Sequence, residues 1–92
     1  MKNLKFSLTI DSVFNIMTKG ILVTGMVETG VLNIDDELEL IGDNSVKKAK
    51  CSSIERYLKP VKTAKQDEYI GIVLTDVTPS DIKRGMKLII KE

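Results

Sequence analysis

Histidine is absent from the 92 residues, and Cys51 is the single cysteine. A Ser-His-Asp or Cys-His catalytic pair and a His-ligated zinc site are therefore impossible within this chain. One thiol excludes an internal disulfide and a thiolate zinc site, and it fits a reducing compartment, so the expected location is cytoplasmic. No apolar run approaches the ~20 residues that a membrane-spanning helix needs. Met1-Lys2-Asn3-Leu4-Lys5 is followed by no apolar signal core. Aromatic residues are scarce at 4%, so the basic segments have little aromatic interleaving beyond Tyr57.

What is present suits one small domain. Apolar residues make up 42% and charged residues 29%, enough for one core under a solvated surface. The net charge of +1 conceals an asymmetry. Residues 1–46 carry three lysines against seven acidic residues, while residues 47–92 carry eleven basic residues against six acidic ones. Seven positive charges lie between Lys47 and Lys65, opposed within that stretch by Glu55 alone. This run, with Lys47, Lys48, Lys50, Arg56 and Lys59, is a candidate electrostatic footprint for RNA, and the alternative is an ordinary solvated surface.

Three glycines, Gly20, Gly25 and Gly30, punctuate K-G-I-L-V-T-G-M-V-E-T-G. The first two have the spacing that opens a phosphate-binding loop. That loop continues with Lys and Ser/Thr, which reach the phosphates and magnesium, whereas Met26 and Val27 follow here. Ile21-Leu22-Val23-Thr24 is β-forming, so the glycines belong to a strand and its ends.

Alternation predicts strands with Leu4, Phe6, Leu8 and Ile10 on one face, then through Val13–Ile16, then through Ile21–Val27 with Ile21, Val23, Gly25 and Val27 inward. Met17–Gly20, Glu28–Gly30, Asp35–Asp36 and Gly42–Ser45 read as turns or loops. Leu38 and Leu40 face inward on the next strand, and Val46–Tyr57 is a long basic strand. Leu58–Asp67, with Pro60 and its lysines, reads as a loop. Tyr69–Leu74 reads as a strand covered on both sides. Thr78 caps a short helical turn begun by Pro79 and stopped by Gly85, and Lys87–Ile90 is the last strand. Short strands with almost no helix give an all-β fold, a closed barrel or a sandwich.

From Val13 to Gly30 the chain reads V-F-N-I-M-T-K-G-I-L-V-T-G-M-V-E-T-G. This resembles the second domain of elongation factor Tu and related translational GTPases, whose pattern is close to V-F-x-I-x-G-R-G-T-V-V-T-G-R-V-E-R-G. The resemblance continues through Leu32–Leu40, Cys51–Tyr57, Tyr69–Leu74 and Ile82–Met86. It implies a small antiparallel translation-type β-barrel of six to seven strands, with residues 1–92 forming one such domain. In that family a separate domain binds GTP, so the resemblance implies no GTP binding or hydrolysis by this chain alone, and no cofactor.

The resemblance also implies a pocket. Family members that bind aminoacyl-tRNA hold the terminal adenosine and aminoacyl group on this barrel, at positions matched here by Phe14, Ile16, Leu22, Glu55 and Val73. An apolar slot suits a base and a carboxylate suits ribose hydroxyls. The alternative places Phe14, Ile16, Leu22 and Val73 in the core and Glu55 in a surface ion pair. Two family arginines are replaced by Lys19 and Met26, and the acidic pair before V-F becomes Asp11-Ser12. Lysine lacks the planar two-pronged contact of arginine.

Three functions follow as expectations. The first is a non-enzymatic, translation-related module that recognises an RNA end, with Lys19 beside the Lys47–Lys59 cations touching the backbone, weakly and with salt sensitivity. The second is a protein-interaction domain or homodimer, with Met17, Met26 and Met86 as adaptable contacts. The third, an enzyme using Asp11, Asp35, Asp36 or Glu55, has the least behind it, because Asp35-Asp36 is explained by a turn.

Overall fold

The computed structural model describes residues 3–16 and 18–92; the expectation for Met17 lies outside the described residues. The strands, in chain order, are β1 (Leu4–Thr9), β2 (Ser12–Ile16), β3 (Gly20–Asn33), β4 (Glu37–Ile41), β5 (Val46–Arg56), β6 (Lys59–Val61), β7 (Thr63–Lys65), β8 (Tyr69–Thr75) and β9 (Lys87–Lys91). A single 3-10 turn, Pro79–Asp81, joins the last two. Hydrogen bonding runs β1-β9-β4-β5-β8-β3, and β3 pairs back onto β1. The result is a closed antiparallel barrel of six strands, as the resemblance implied, and not the sandwich that alternation also allowed. Closure leaves the ring without an open edge. β2, β6 and β7 hang from it on β3 or β5.

The barrel interior is where period-two alternation is obeyed. Phe6, Leu8 and Ile10 enter from the first strand, Ile21, Val23 and Val27 from the third, and Leu38, Leu40, Ala49 and Cys51 from the next two. Ile54, Ile70, Ile72, Leu74 and Leu88 add to the lining, and Leu32, Ala64 and Ile82 join the same core. Gly25 shares the inward face, as expected. A Cβ there would stand 2.4 Å from the Thr9 carbonyl oxygen and 2.9 Å from Leu8 Cδ2. β1 thus crosses β3 at a distance only glycine permits. Met86 packs against this core from its edge, whereas Met26 is exposed.

Several elements differ from the sequence reading. Glu28–Gly30 does not turn the chain. β3 continues through it and bends, because Ser7 opposes Thr29 while Leu8 opposes Val27, leaving Glu28 as the extra residue of a bulge. Gly30 takes φ +78, and a Cβ would meet the Lys5 carbonyl oxygen at 1.8 Å. The bend lets one strand serve β8, then β1, then β7.

Residues 58–67 are not a loop throughout. Tyr57 and Leu58, at φ 55 and 63, form the turn of a tight hairpin between β5 and β6. Pro60 is tolerated because β6 is an edge strand. The helical turn ends at Ile82, not Gly85, and its start is held by the Asp81 carboxylate, which accepts from the Thr78 N–H at 2.8 Å. Gly85, at φ 92, instead turns the chain between Lys83 and Met86. β8 is covered on both sides only in part, since Tyr69 at its start is exposed.

Candidate functional site

On β3 the residues that alternate with the core lining, Leu22, Thr24 and Met26, face out of the barrel. Their partners do the same. Phe14 on β2 stands opposite Leu22, Leu22 opposite Val73 on β8, and Val73 opposite Ser53 on β5. The neighbouring row is Ser12, Thr24, Gly71 and Glu55. Ile16 lies opposite Gly20, at the other side of the apolar row. The five pocket residues named from sequence therefore come together on one outer face, although Glu55 is 41 residues from Phe14 in the chain. A bulge at Ser52 makes this possible. Cys51 opposes Leu74 inside the barrel, but Ser53 opposes Val73 outside, so Glu55 projects outward.

Exposure separates the roles within the patch. Phe14 is 53% exposed and thus not a core residue. Leu22, Ile16 and Glu55 are half-buried. Val73 is 4% exposed; it supports the patch from beneath and offers little surface of its own. Gly71 lets the flanking side chains close over the backbone between them: a Cβ there would lie 3.1 Å from Leu22 Cδ1 and 3.9 Å from Glu55 Oε1. Among the described residues, Glu55 enters no ion pair, so its carboxylate is free to accept hydrogen bonds.

A hydroxyl network borders the patch, and sequence reading missed it. The Tyr69 hydroxyl donates to Asp11 Oδ2 at 2.6 Å and lies 3.0 Å from Thr24 Oγ1. Thr24 Oγ1 in turn shares a hydrogen bond with Ser12 Oγ. Alternation alone would have placed Thr24 and Tyr69 on the outer face. Nothing in the sequence joins Asp11 to Tyr69, which only the β1–β2 corner brings near β8.

The basic candidates do not form one surface. Lys47 binds Asp81 at 2.5 Å, and this contact, followed by the hydrogen bonds from Thr78, holds the Asp81 carboxyl at about 2. Lys48 and Lys50 stand opposite Glu39 and Glu37 across β4. Arg56 pairs with Glu68 at 2.6 Å, and its guanidinium lies 4.9 Å from the Tyr57 ring centre. Lys59 opposes Arg56 on the β5–β6 hairpin, and Lys19 is exposed in the turn between β2 and β3. Acidic residues distant in sequence, Asp81 and Glu68, thus pair with two of these cations, Lys47 and Arg56. A hollow of about 730 Å³ opens away from the patch, between Gly42, Ser45, Lys47, Asp81 and Met86. The Lys47–Asp81 pair stands in its wall.

The family model Elongation factor Tu domain 2 matches residues 20–89. The chain belongs to that family. The match runs from the start of β3 into β9, and so contains Leu22, Glu55 and Val73; Phe14, Ile16 and Lys19 precede it. This domain-2 barrel has no helix among its described residues long and apolar enough to cross a membrane.

Proposed function

We propose that this domain is a non-enzymatic binding module that seats the end of an aminoacylated RNA acceptor on the outer face of β2, β3, β8 and β5. The whole chain, residues 1–92, acts in this reading as one barrel, works in the cytoplasm, and binds no GTP by itself. One observation carries the reading: Phe14, Leu22 and Val73 form one apolar row, flanked by Ile16 on one side and on the other by Glu55, whose carboxylate enters no ion pair among the described residues. A base stacks on such a row, and ribose hydroxyls donate to such a carboxylate. Gly71, with no side chain of its own, lets Leu22 and Glu55 draw together across it. Lys19, exposed in the turn between β2 and β3, contacts the RNA backbone in this reading. Affinity is expected to be weak, because one domain binds without linked neighbours.

The test is an NMR titration of the labelled protein with a short CCA-ended minihelix, aminoacylated and deacylated, at two salt concentrations. Shifts at Phe14, Leu22, Glu55 and Val73 that depend on the aminoacyl group support the reading. Shifts confined to Lys47–Lys65 and lost with salt reduce it to nonspecific attraction. A second reading, docking of a translation protein without RNA, is favoured by Met26 and Tyr69, which stand opposite each other and are 52% and 50% exposed. Absence of any RNA-induced shift would leave that reading standing.

A further inference from the structure

The strands that hang from the ring are not equally guarded. β6 carries Lys59 and Pro60, and β7 carries Lys65. Lysine and proline on an edge oppose the addition of another strand. β2 reads Ser-Val-Phe-Asn-Ile, with no charge, proline or glycine. It ends the sheet order, and among the described residues it pairs with β3 alone. We propose that β2 is a self-pairing edge through which two copies of this chain join into one continuous antiparallel sheet.

The sequence of β2 fixes the register. A two-fold axis through Phe14 sets Phe14 against Phe14 of the second copy, Ser12 against its Ile16, and Val13 against its Asn15. The row Val73-Leu22-Phe14 then continues into the same row of the second copy in reverse order. Aromatic and apolar neighbours across strands are the favourable kind, and the half-exposed Phe14 ring gains a partner. A slip of one residue would turn Phe14 to the wrong face. A slip of two would forfeit part of this short ladder. The ends agree as well. Asp11, which accepts from Tyr69 and lies 3.8 Å from Arg84 yet leaves its side chain 52% exposed, precedes β2, and exposed Lys19 follows it. Antiparallel pairing brings the acidic end of each strand towards the basic end of the other, at both ends by symmetry.

Such a ladder is short. It buries far less than the ~1,600 Å² of a standard interface, so association is weak and grows with concentration. This inference stands apart from the RNA-end reading, since it needs only the free edge of β2. Sedimentation velocity from micromolar to millimolar protein tests it, with Asn15→Lys and Phe14→Lys as variants. Asn15→Lys guards the edge while leaving the outer patch intact, and Phe14→Lys sets two like charges on the axis. Both positions are exposed, and an unchanged amide spectrum outside β2 verifies the fold. The expected result is a sedimentation coefficient that rises with concentration for the natural sequence and stays monomeric for both variants. Mixed labelled and unlabelled protein should show a through-space contact between Phe14 rings of different copies. A natural sequence that stays monomeric throughout overturns the inference. So does a dimer that survives both substitutions.

Discussion

β5 takes part in two candidate interfaces, and they differ in how they were assembled. Its first half presents Lys48 and Lys50, adjacent in sequence and conspicuous as charge, yet each stands opposite a glutamate of β4. Its second half contributes Ser53 and Glu55 to a patch whose other members lie on β2, β3 and β8. Proximity in sequence produced a run of charge that the fold scatters and answers in part with opposite charge, Asp81 at Lys47 and Glu68 at Arg56. Distance in sequence produced the coherent site. A cluster of like charges invites partners of the opposite sign within its own fold, whereas an exposed apolar residue keeps its exposure unless something covers it.

The comparison breaks most severely if the scaffold common to both regions is removed. Gly25→Val sets a side chain against the Thr9 carbonyl oxygen, where even a Cβ would come to 2.4 Å. The expected loss is about 3 kcal/mol, read by urea denaturation, with both interfaces lost together. Next comes Leu22→Asp, which places a carboxylate in the apolar row beside Glu55. Minihelix binding is expected to weaken by about tenfold or more, a loss of about 1.4 kcal/mol, while the Lys48 and Lys50 amide signals stay unchanged. Equal loss from Leu22→Asp and from a Lys48→Glu, Lys50→Glu double variant would show that the two halves of β5 act as one site.

The inner side of β5 provides a pH test. Burial chiefly, then the charges of Asp36 and Asp35, push the Cys51 thiol up to about 12 from an ordinary 9.0. The folded state thus holds a proton that the unfolded chain releases. The thiol's contribution to stability should be level from neutral pH to about pH 9 and decline above it as the unfolded thiol ionises. Urea midpoints across that range check the slope, and Cys51→Ala should flatten it. Native Cys51 should also resist thiol reagents at neutral pH.

Smaller effects sharpen the contrast. Glu68→Ala frees Arg56 and is expected to cost about 1 kcal/mol or less, because the pair is partly exposed. It should raise salt-dependent attraction of RNA to the β5–β6 hairpin without touching the outer patch. The Lys48→Glu, Lys50→Glu variant comes last. Like charges then face each other across β4 and β5, with a thermal shift expected within about 0.5 kcal/mol per site. A large loss of stability would mean that these exposed pairs matter more than surface pairs ordinarily do.

Much of the barrel was legible because alternation is a local record of burial. Leu38 and Leu40 between glutamates, or Ala49 and Cys51 between lysines, declare an inner face without any reference to the rest of the chain. The bend at Glu28–Gly30 was not legible as a bend. A glycine at positive φ ends a hairpin in one setting and kinks a continuous strand in another, and the neighbour that decides, here Lys5 and Phe6, is distant in sequence. The strands β6 and β7 were hidden for a related reason: three residues with a proline or lysines carry too little pattern to separate edge strand from loop.

The sequence by itself determined which residues face inward, that the chain is all-β, and which family pattern it follows. It also named the five residues of the patch, because resemblance transmits positions even when their geometry is unknown. The tertiary structure alone decided that those residues share one outer face, that Phe14 is exposed while Val73 is covered, and that Asp11 reaches Tyr69. It alone decided that Lys47 meets Asp81 and Arg56 meets Glu68. Burial periodicity is written along a single strand, but cross-strand register depends on bulges and ring closure, which are settled only when the strands meet.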